Sequence, residues 1–392
     1  MKILVLSFYY QPDLCAGSFR CSAMIRSLMP KLSAGDEIEI ITTLPNRYDS
    51  YQSEAPEYES DGKISVHRIQ LPSHQSGMID QSKAFIAYSR QVLNLVKESQ
   101  YDLVFATSSR LMTAALGAYV AHKKSTNFYI DIRDIFVDTI KDVLPKKLSL
   151  LAKPVFSLLE RWTINKANKV NLVSQGFQDY FSERYPKQEF SFFTNGIDSE
   201  FIDYQVATLD EVNEKNDSIS IVYAGNFGEG QGLHNIIPTL AKKLEARVHF
   251  QLIGDGGRRS KLEEGLKALD CKNVTLVPPV KRDELLVKYQ EADVLFLHLN
   301  DYDAFRKVLP SKVFEYAALG KPILAGVSGY AAQFIKEDIS NAEIFSPCNA
   351  EEAVKALDLL KLETLPRKDF IDAYSRSKIM HDMTNDILRF VK

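Results

Sequence analysis

The sequence predicts an α/β protein with two Rossmann-like lobes, each built on a doubly wound parallel sheet. Short apolar runs alternate with longer amphipathic ones along most of the 392 residues. Several apolar runs are nearly continuous, as expected for strands that are covered on both faces. Residues 203–218 interrupt the pattern, because they are polar and acidic without apolar periodicity and so are typical of a linker. The lobes are therefore expected over about residues 1–200 and 201–370.

Each predicted strand is a short apolar segment, and helical patterns fall between most of them. In the first lobe these segments are KILVLSF (2–8), EIEIIT (37–42), ISVHRI (64–69), DLVFA (102–106), NFYIDI (127–132), KVNLVS (169–174) and EFSFF (189–193). In the second they are ISIVYAG (219–225), VHFQLIG (248–254), NVTLVP (273–278), DVLFLHL (293–299) and KPILAG (321–326). Sheets of this kind bind ligands at the carboxyl ends of their strands. Two facing lobes would place the site in the cleft between them.

Composition excludes several classes of protein. Apolar residues make up 45% of the chain and charged residues 25%, which is typical of a folded globular protein. The net charge of −3 argues against a dedicated nucleic-acid binder. The four cysteines have no metal-ligand or C-x-x-C spacing, so we expect reduced thiols in the cytoplasm and no bound metal. The N-terminal apolar run is too short for a signal peptide, and no run reaches the ~18 residues of a membrane span.

Two glycine-rich loops in the second lobe could approach a phosphate closely. The loop after its first strand contains four glycines between residues 225 and 232, but Leu233 breaks the G-x-G-x-x-G pattern, so NAD is not expected. A later strand ends at Gly254 and Asp255. Asp255 is expected either to cap the helix that follows or to contact a nucleotide.

Charged residues also follow two strands of the first lobe. Gly17 and Ser18 open the helix after the first strand, and Arg20 lies in its first turn, which predicts either a diphosphate cradle or a plain strand–helix turn. Asp131, Arg133 and Asp134 follow a buried strand. A structural ion pair would explain two of these three charges, and a role in the cleft would explain them equally well.

The segment 141–169 is basic and amphipathic. It carries leucine, valine and tryptophan at helical spacing, and Pro154 is expected to kink it. The pattern favours a surface helix packed on the lobe, with a surface that rests on anionic lipid as the alternative.

The segment VLPSKVFEYAALGKPILAG (308–326) predicts a short helix that leads into a buried strand. Ser311, Lys312 and Glu315 share one side of its first turn. The free N–H groups at a helix N-terminus already attract anions. A lysine at this place therefore indicates that an anion is held there.

The motifs, taken in order, resemble those of the retaining glycosyltransferases of the GT-B fold, family four. Within that family they resemble the branch that carries P-S-K-x-F-E-Y and assembles O-antigen and capsule. The matching segments are KANKVNLVS, FFTNGID, YAGNFGEGQGL, LIGDG, NVTLVPPVKRDEL, YQEADVLFLHL and LPSKVFEYAALGKPI. The resemblance covers nearly the whole chain. It implies an acceptor-binding first lobe, a donor-binding second lobe, and a final helix over 371–392 that packs back on the first lobe.

The resemblance also implies roles for individual residues. Backbone amides of residues 310–313 would hold the donor diphosphate, and Glu315 would bind the ribose hydroxyls. The implied donor contacts are Gly17, Ser18, Asn226, Gln231, Gly254, Asp255, Val280, Pro310, Ser311, Lys312, Val313 and Glu315. The implied catalytic residues are Lys312, Glu315, Arg20 and Asp134, and the implied acceptor contacts are Arg133 and Asp131.

Three positions depart from the family pattern. The first glutamate of the family's E-x7-E motif falls at Lys307. The arginine and lysine that usually clamp the diphosphate fall at Asn226 and Gln231, so Lys312 and Arg20 are expected to supply the positive charge, with Lys307 as a further candidate. The histidine that many relatives place near the donor sugar falls at Arg133.

The implied reaction is transfer of a sugar, with retained configuration, from a nucleotide-sugar to an acceptor hydroxyl. UDP is the expected nucleotide, a lipid-linked saccharide is the expected acceptor, and no cofactor is expected. The protein would be cytoplasmic, with peripheral contact to the inner membrane face through 141–169. The main alternative is a UDP-sugar 2-epimerase with the same fold. A solute-binding protein would need an export signal, and an NAD-linked oxidoreductase would need the missing fingerprint.

Overall fold

The computed structural model describes residues 1–45, 54–72, 78–108, 111–138, 146–202 and 218–391. It divides the chain into an N-terminal unit, Met1–Asn195 with Ser377–Lys392, and a C-terminal unit, Gly196–Arg376. The predicted linker lies outside the described residues except for residue 218, and residues 141–145 of the basic segment also lie outside them. All four cysteines are free thiols.

The N-terminal unit contains an eight-stranded sheet with the order β3-β4-β2-β1-β5-β6-β7-β8. Its strands are β1 (Lys2–Leu6), β2 (Glu37–Thr43), β3 (Tyr58–Ser60), β4 (Ile64–Ile69), β5 (Leu103–Thr107), β6 (Asn127–Ile132), β7 (Lys169–Leu172) and β8 (Phe190–Ser191). Its helices include α1 (Ala16–Leu28), α2 (Met78–Leu95), α3 (Leu111–Lys124), α4 (Lys146–Lys166) and α5 (Gln178–Arg184). Every pairing is parallel except that of β3 with β4. The helix α4 runs through Pro154 as one element.

The C-terminal unit contains a fully parallel six-stranded sheet with the order β11-β10-β9-β12-β13-β14. Its strands are β9 (Ile219–Ala224), β10 (Val248–Ile253), β11 (Val274–Val277), β12 (Val294–His298), β13 (Ile323–Gly326) and β14 (Ala342–Phe345). Its helices include α6 (Leu233–Lys243), α7 (Arg259–Ala268), α8 (Arg282–Glu291), α9 (Lys312–Ala318), α10 (Tyr330–Asp338), α11 (Ala350–Leu359) and α12 (Lys368–Tyr374). One apolar cluster packs α8, α9, α10 and α12 on the sheet, and another packs α6, α7 and α11. The prediction of doubly wound parallel sheets is confirmed.

The last helix, α13 (Arg376–Leu388), begins at the end of the C-terminal unit and continues into the N-terminal one. Its side chains Met380, Met383 and Ile387 are buried in the same core as Ile3 and Val5 of β1. The helix is therefore part of the N-terminal core.

All twelve predicted strands are present, and the structure adds β3 and β14. The strand β3 is exposed at the edge of its sheet and has the sequence YES, so it lacks an apolar run. The strand β14 has four residues, of which only Phe345 is fully buried. Both strands are short edge strands, where burial leaves little imprint on the sequence.

His298, at the carboxyl end of β12, joins two loops of the C-terminal unit. Its Nδ1 lies 2.7 Å from the carbonyl oxygen of Gln231, and its Nε2 accepts a 2.9 Å hydrogen bond from the backbone N–H of Cys348. The proton is thereby assigned to Nδ1, which donates to Gln231. Because the ring is buried, its pKa falls to about 4, although the Gln231 carbonyl opposes this shift.

We predict that His298 makes the C-terminal unit less stable in mild acid. The unfolded histidine takes up a proton near pH 6.5, whereas the folded one does so only near pH 4. Its contribution is therefore complete above pH 6.5 and is lost as the pH falls towards 4, by up to about 3 kcal/mol. The measurement is the urea midpoint at pH 7.5 and pH 5 for wild type and His298→Asn.

The drop in midpoint between the two pH values should be smaller in His298→Asn than in wild type. His249→Asn, which changes a partly exposed histidine on β10, is the control and should keep the wild-type drop. Equal drops in all three proteins would show that His298 does not titrate in this way.

Candidate functional site

Two strand ends meet at the carboxyl edge of the C-terminal sheet. Gly225 follows β9 with φ 152°, and Gly254 follows β10 with φ 143°, a backbone region that favours glycine. A Cβ on Gly254 would lie 1.9 Å from the carbonyl oxygen of Gly225. A Cβ on Gly225 would lie 2.7 Å from Cε of Lys312. Gly254 thus lets the two strand ends approach each other, and Gly225 leaves room for the Lys312 side chain.

Lys312 and Glu315 stand in the first turn of α9. Lys312 Nζ lies 3.9 Å from Glu315 Oε2, beyond the range of a direct hydrogen bond, and the two side chains are 22% and 12% exposed. Burial lowers the pKa of Lys312, Glu315 opposes this shift, and Arg282 adds to it. The lysine is a cation that is partly desolvated and close to a carboxylate without being neutralised by direct contact.

The amides at the start of α9 are only partly available to a ligand. Pro310 has no N–H group, and the N–H of Val313 donates to the Pro310 carbonyl at 3.1 Å. The expectation that Pro310 and Val313 donate backbone amides to a diphosphate is therefore wrong. Ser311, which precedes α9, and Lys312 carry the remaining amides of this turn.

A neutral pair occupies the positions where the family pattern has an arginine and a lysine. Asn226 Nδ2 donates a 3.0 Å hydrogen bond to Gln231 Oε1. A Cβ on Gly228 would lie 2.2 Å from Asn226 Nδ2, so the loop closes around this pair. With the Gln231 carbonyl held by His298, the loop is fixed at both the side chain and the backbone.

Asp255 does not cap the helix that follows it, which corrects that interpretation. Its Oδ1 accepts from the N–H of Gly256 at 2.8 Å, whereas α7 starts after Arg258 without a side-chain cap. Val280, just past β11, is partly buried and packs against the cluster of α8 and α9. Nucleotide contact by Asp255 or Val280 stays a prediction. Lys307 ends a short 3₁₀ turn that precedes α9.

Arg20 and Asp131 form a buried structural ion pair in the N-terminal unit, each 2% exposed. Arg20 Nε and Nη2 donate to the two oxygens of Asp131 at 2.8 and 2.9 Å. Nη1 donates to the carbonyl of Thr194 at 2.6 Å, and Nη2 also donates to that of Phe193 at 2.7 Å. Asn171 Nδ2 adds a 2.7 Å hydrogen bond to Asp131. These contacts correct the expectations that Arg20 holds a diphosphate and that Asp131 contacts an acceptor.

Arg133, in contrast, lies against the start of α1. Its Nη1 donates to the carbonyl of Ala16 at 3.1 Å and would lie 3.5 Å from a Cβ on Gly17. Ser18 is fully buried in the same turn. Asp134 keeps an exposed surface, while desolvation raises the pKa of its carboxyl to about 6 and Arg133 opposes that rise. Gly17, Arg133 and Asp134 thus lie at the same edge of the N-terminal sheet.

Sequence reasoning missed Arg282, the first residue of α8. Glu315 is among the charges that raise its pKa, and Arg282 in turn lowers the pKa of Lys312, so these three charges interact. The available signal was the charged segment K-R-D-E-L (281–285), which begins four residues after the end of β11 and opens α8.

Comparison with known proteins gives matches over both units. Residues 207–376 match the family model described as glycosyl transferases group 1, and residues 21–196 match the one described as glycosyl transferase 4-like domain. The chain is 23% identical to WcaI of Escherichia coli (strain K12), whose name describes a colanic acid biosynthesis glycosyl transferase. That match covers 99% of this chain and all of WcaI.

Solved structures show the same fold at low sequence identity. Sucrose-phosphate synthase from Thermosynechococcus elongatus has a TM-score of 0.75 at 15% identity, over 99% of this chain and 98% of its own. HepE from Anabaena, solved with UDP-glucose, has a TM-score of 0.67 at 14% identity, over 99% of both chains. The predicted fold class, GT-B with two Rossmann-like parallel-sheet units, is confirmed.

We predict that the Arg20–Asp131 pair contributes to stability. Asp131→Asn leaves a buried guanidinium without its counter-charge and should lower the free energy of unfolding by about 3–5 kcal/mol. Urea denaturation measures this loss. Arg20→Met removes the other partner of the pair and should also destabilise the protein by several kcal/mol. Arg26→Met, which changes an exposed arginine on the same helix α1, is its control and should cost about 0.5 kcal/mol or less. A comparable, small loss in all three variants would contradict the structural role.

Proposed function

We propose that the donor of this chain is a UDP-sugar. Residues 207–376 match the glycosyl transferases group 1 model and residues 21–196 match the glycosyl transferase 4-like domain model, so the chain is a glycosyltransferase. The acceptor we propose is a hydroxyl of a lipid-linked saccharide in the assembly of a cell-surface polysaccharide. We further propose that transfer retains the configuration of the sugar. The likeness to WcaI supports the polysaccharide context.

The position of Lys312 is the observation that supports the proposed donor site. Lys312 is a partly buried cation at the carboxyl edge of the parallel sheet, seated over Gly225 and 3.9 Å from Glu315. Ligands of such sheets bind at this edge. A cation held in a low-dielectric site stabilises negative charge more strongly than one in water. The diphosphate that leaves a nucleotide-sugar is the charge that we propose Lys312 stabilises.

The surrounding residues complete the proposed site. Glu315 would accept hydrogen bonds from the ribose hydroxyls, and the amides of Ser311 and Lys312 would donate to the diphosphate. Gly254, Asp255 and Val280 line the adjacent strand ends and would contact the nucleoside. The neutral Asn226–Gln231 pair adds no charge, so Lys312 is the main cation of this proposal.

In the proposed reaction the bond from the anomeric carbon to the phosphate oxygen breaks, and a bond to the acceptor oxygen forms on the same face. The acceptor proton passes to the leaving phosphate oxygen. The protein would therefore stabilise the leaving group and exclude water. Gly17, Arg133 and Asp134 of the N-terminal unit are the proposed contacts to the sugar and acceptor. The structure of HepE with UDP-glucose supports a UDP-sugar as donor, and the matched families do not favour the 2-epimerase alternative.

The exposed face of α4 supports contact with an anionic membrane surface. Val155 and Leu158 are 66% and 70% exposed, and the cations Lys153, Arg161 and Lys166 are exposed on the same helix. Basic helices with exposed apolar side chains bind at the headgroup boundary of anionic lipid. Among the described residues, no helix is long and apolar enough to span a membrane.

The donor site is tested by calorimetric titration of UDP and GDP into wild type, Glu315→Gln and Lys312→Met. We expect one nucleotide to bind wild type and each variant to lose about tenfold in affinity, roughly 1.4 kcal/mol. Glu245→Gln is the matched control, because Glu245 forms an i,i+3 pair with Lys242 at 2.7 Å just before β10, at the opposite edge of the sheet. It should bind as wild type does. If neither nucleotide binds wild type, the proposed donor class is wrong.

The membrane surface is tested by co-sedimentation with vesicles of phosphatidylcholine alone or with phosphatidylglycerol. Wild type should bind only the anionic vesicles and should dissociate as salt is raised. The double variant Val155→Ser, Leu158→Ser should bind roughly tenfold more weakly, because it loses two apolar side chains from the contact. Leu359→Ser with Leu362→Ser removes two exposed leucines of the C-terminal unit and should change nothing. Equal loss in both double variants would rule out α4 as the contact surface.

A further inference from the structure

The loop that joins β9 to α6, residues 225–232, is held in place through its carbonyl groups. The carbonyl of Asn226 accepts a 2.9 Å hydrogen bond from the hydroxyl of Tyr223, which lies on β9. The carbonyl of Phe227 accepts a 2.8 Å hydrogen bond from the N–H of Arg258, in the segment after β10. The first part of the loop is therefore bonded to its own strand and to the end of the neighbouring one.

The end of β12 holds the second part of the loop in the same way. Asn300 lies two residues past β12, and its Nδ2 donates to the carbonyl of Glu229 at 3.0 Å. The backbone N–H of Asn300 donates to the carbonyl of Gly230 at 2.8 Å. The carbonyl of Gln231 is the one that His298 holds at 2.7 Å. These carbonyl groups therefore all face donors of the protein.

The N–H groups of the loop point the other way. A trans peptide is planar, and its N–H lies opposite to its C=O. Because the carbonyl of the same peptide is bonded to the protein, the N–H points away from that bond at Gly228, Gly230 and Gln231. Within the described part of the chain, no acceptor is bonded to any N–H of residues 228–231. All four residues are partly exposed, so these N–H groups are donors at the surface of the loop.

The carboxylate of Glu229 does not accept from these N–H groups, because its two oxygens have other donors. One oxygen accepts from Arg258 Nε, and the other accepts from the hydroxyl of Tyr302 at 2.5 Å. Arg258 follows β10 and Tyr302 follows β12, the two strands that flank β9. The side chain of Glu229 is thereby fixed between two strand ends, and the guanidinium of Arg258 compensates its charge.

The position of the loop indicates which ligand it fits. Successive N–H groups in a turn make a concavity that binds anions. This turn lies at the carboxyl edge of a parallel sheet, where ligands bind. It starts at Gly225, over which the stem of Lys312 lies. The bonded side chains of Asn226 and Gln231 bring no charge of their own, so the anion of the donor site needs further donors.

We propose that the backbone N–H groups of residues 228–231 bind the diphosphate of the donor, in place of side-chain cations. The proposal rests on the proposed function, because it adds this loop to the same donor site. Lys312 then supplies positive charge, and the loop supplies directed hydrogen bonds. Asn300 is a positioning residue in this arrangement, because it orients the peptides of Glu229 and Gly230.

The test is NMR spectroscopy of the full chain labelled with ¹⁵N-glycine, titrated with UDP, GDP, uridine, guanosine and inorganic pyrophosphate. We expect the nucleotide that binds and pyrophosphate to move the amide proton signals of Gly228 and Gly230 downfield, because each proton gains a hydrogen bond to a phosphate oxygen. The nucleosides should leave both signals in place. Gly35, in an exposed turn of the N-terminal unit, reports non-specific effects of anions and should not move. Gly228→Ser and Gly230→Ser each lack one signal and so assign the two.

Calorimetry of Asn300→Ala tests the positioning role. Without Nδ2 the carbonyl of Glu229 is no longer held, so the affinity for the nucleotide should fall about fivefold and that for the nucleoside should not change. Asn273→Ala is the matched control. Asn273 is also buried, and its Nδ2 donates to two carbonyls at 3.0 and 2.9 Å, but it lies just before β11, at the opposite edge of the sheet. It should bind the nucleotide as wild type does, and urea denaturation reports the folded fraction of both variants.

The outcomes separate this proposal from the proposed function. If a nucleotide binds wild type and neither glycine signal moves, the loop does not hold the diphosphate, and the proposed function still stands. Wild-type affinity in folded Asn300→Ala would overturn the role given to Asn300. If wild type binds neither nucleotide, the proposed function fails, and the assignment of the loop to the donor fails with it.

Discussion

The candidate site of the C-terminal unit depends on the close approach of two strand ends. Gly254 lies against the carbonyl of Gly225, where a Cβ would come within 1.9 Å of the oxygen. The same absence of a side chain at Gly225 leaves space for the stem of Lys312. The backbone at these positions is therefore what sets the position of the lysine. The adjoining strands are buried and paired in a parallel sheet, which holds the backbone at this edge in place.

The charges of the candidate site differ from those that stabilise the fold in their burial and in their contact with an opposite charge. Arg20 and Asp131 are fully buried and in direct contact, so their charges cancel inside the protein. Arg367 is buried too and donates to carbonyls of its own unit, and burial lowers its pKa to about 10. Lys312 keeps 22% of its side chain exposed and stays 3.9 Å from its carboxylate. A cation that is desolvated but not cancelled is the one able to stabilise an incoming anion.

The sequence was sufficient for the fold and for the helical turn that carries Lys312 and Glu315, but not for contacts between distant segments. Buried strands and the turn with Lys312 and Glu315 are recognisable because the residues that matter are neighbours in sequence. Arg20 and Asp131 are 111 positions apart, and the sequence around either residue does not indicate that the other is its partner. The misassignment of Arg20 followed from that distance, since a lone arginine after a glycine turn has the same pattern whether it binds a ligand or an internal carboxylate.

Asp198 and Arg282 are a second contact between distant segments that the sequence does not reveal. Asp198 ends the segment FFTNGID, which carries part of the family resemblance, yet its partners Arg282 and Arg376 come 84 and 178 positions later. A buried carboxylate that meets two guanidinium groups is stable only if all three are placed with good geometry. The bridge between Ile197 and Ser375 supplies that placement, because it fixes the backbone beside both Asp198 and Arg376. The charges of Asp198 and Arg376 are therefore oriented by backbone pairing between the two ends of the unit's sequence, which no local pattern in the chain encodes.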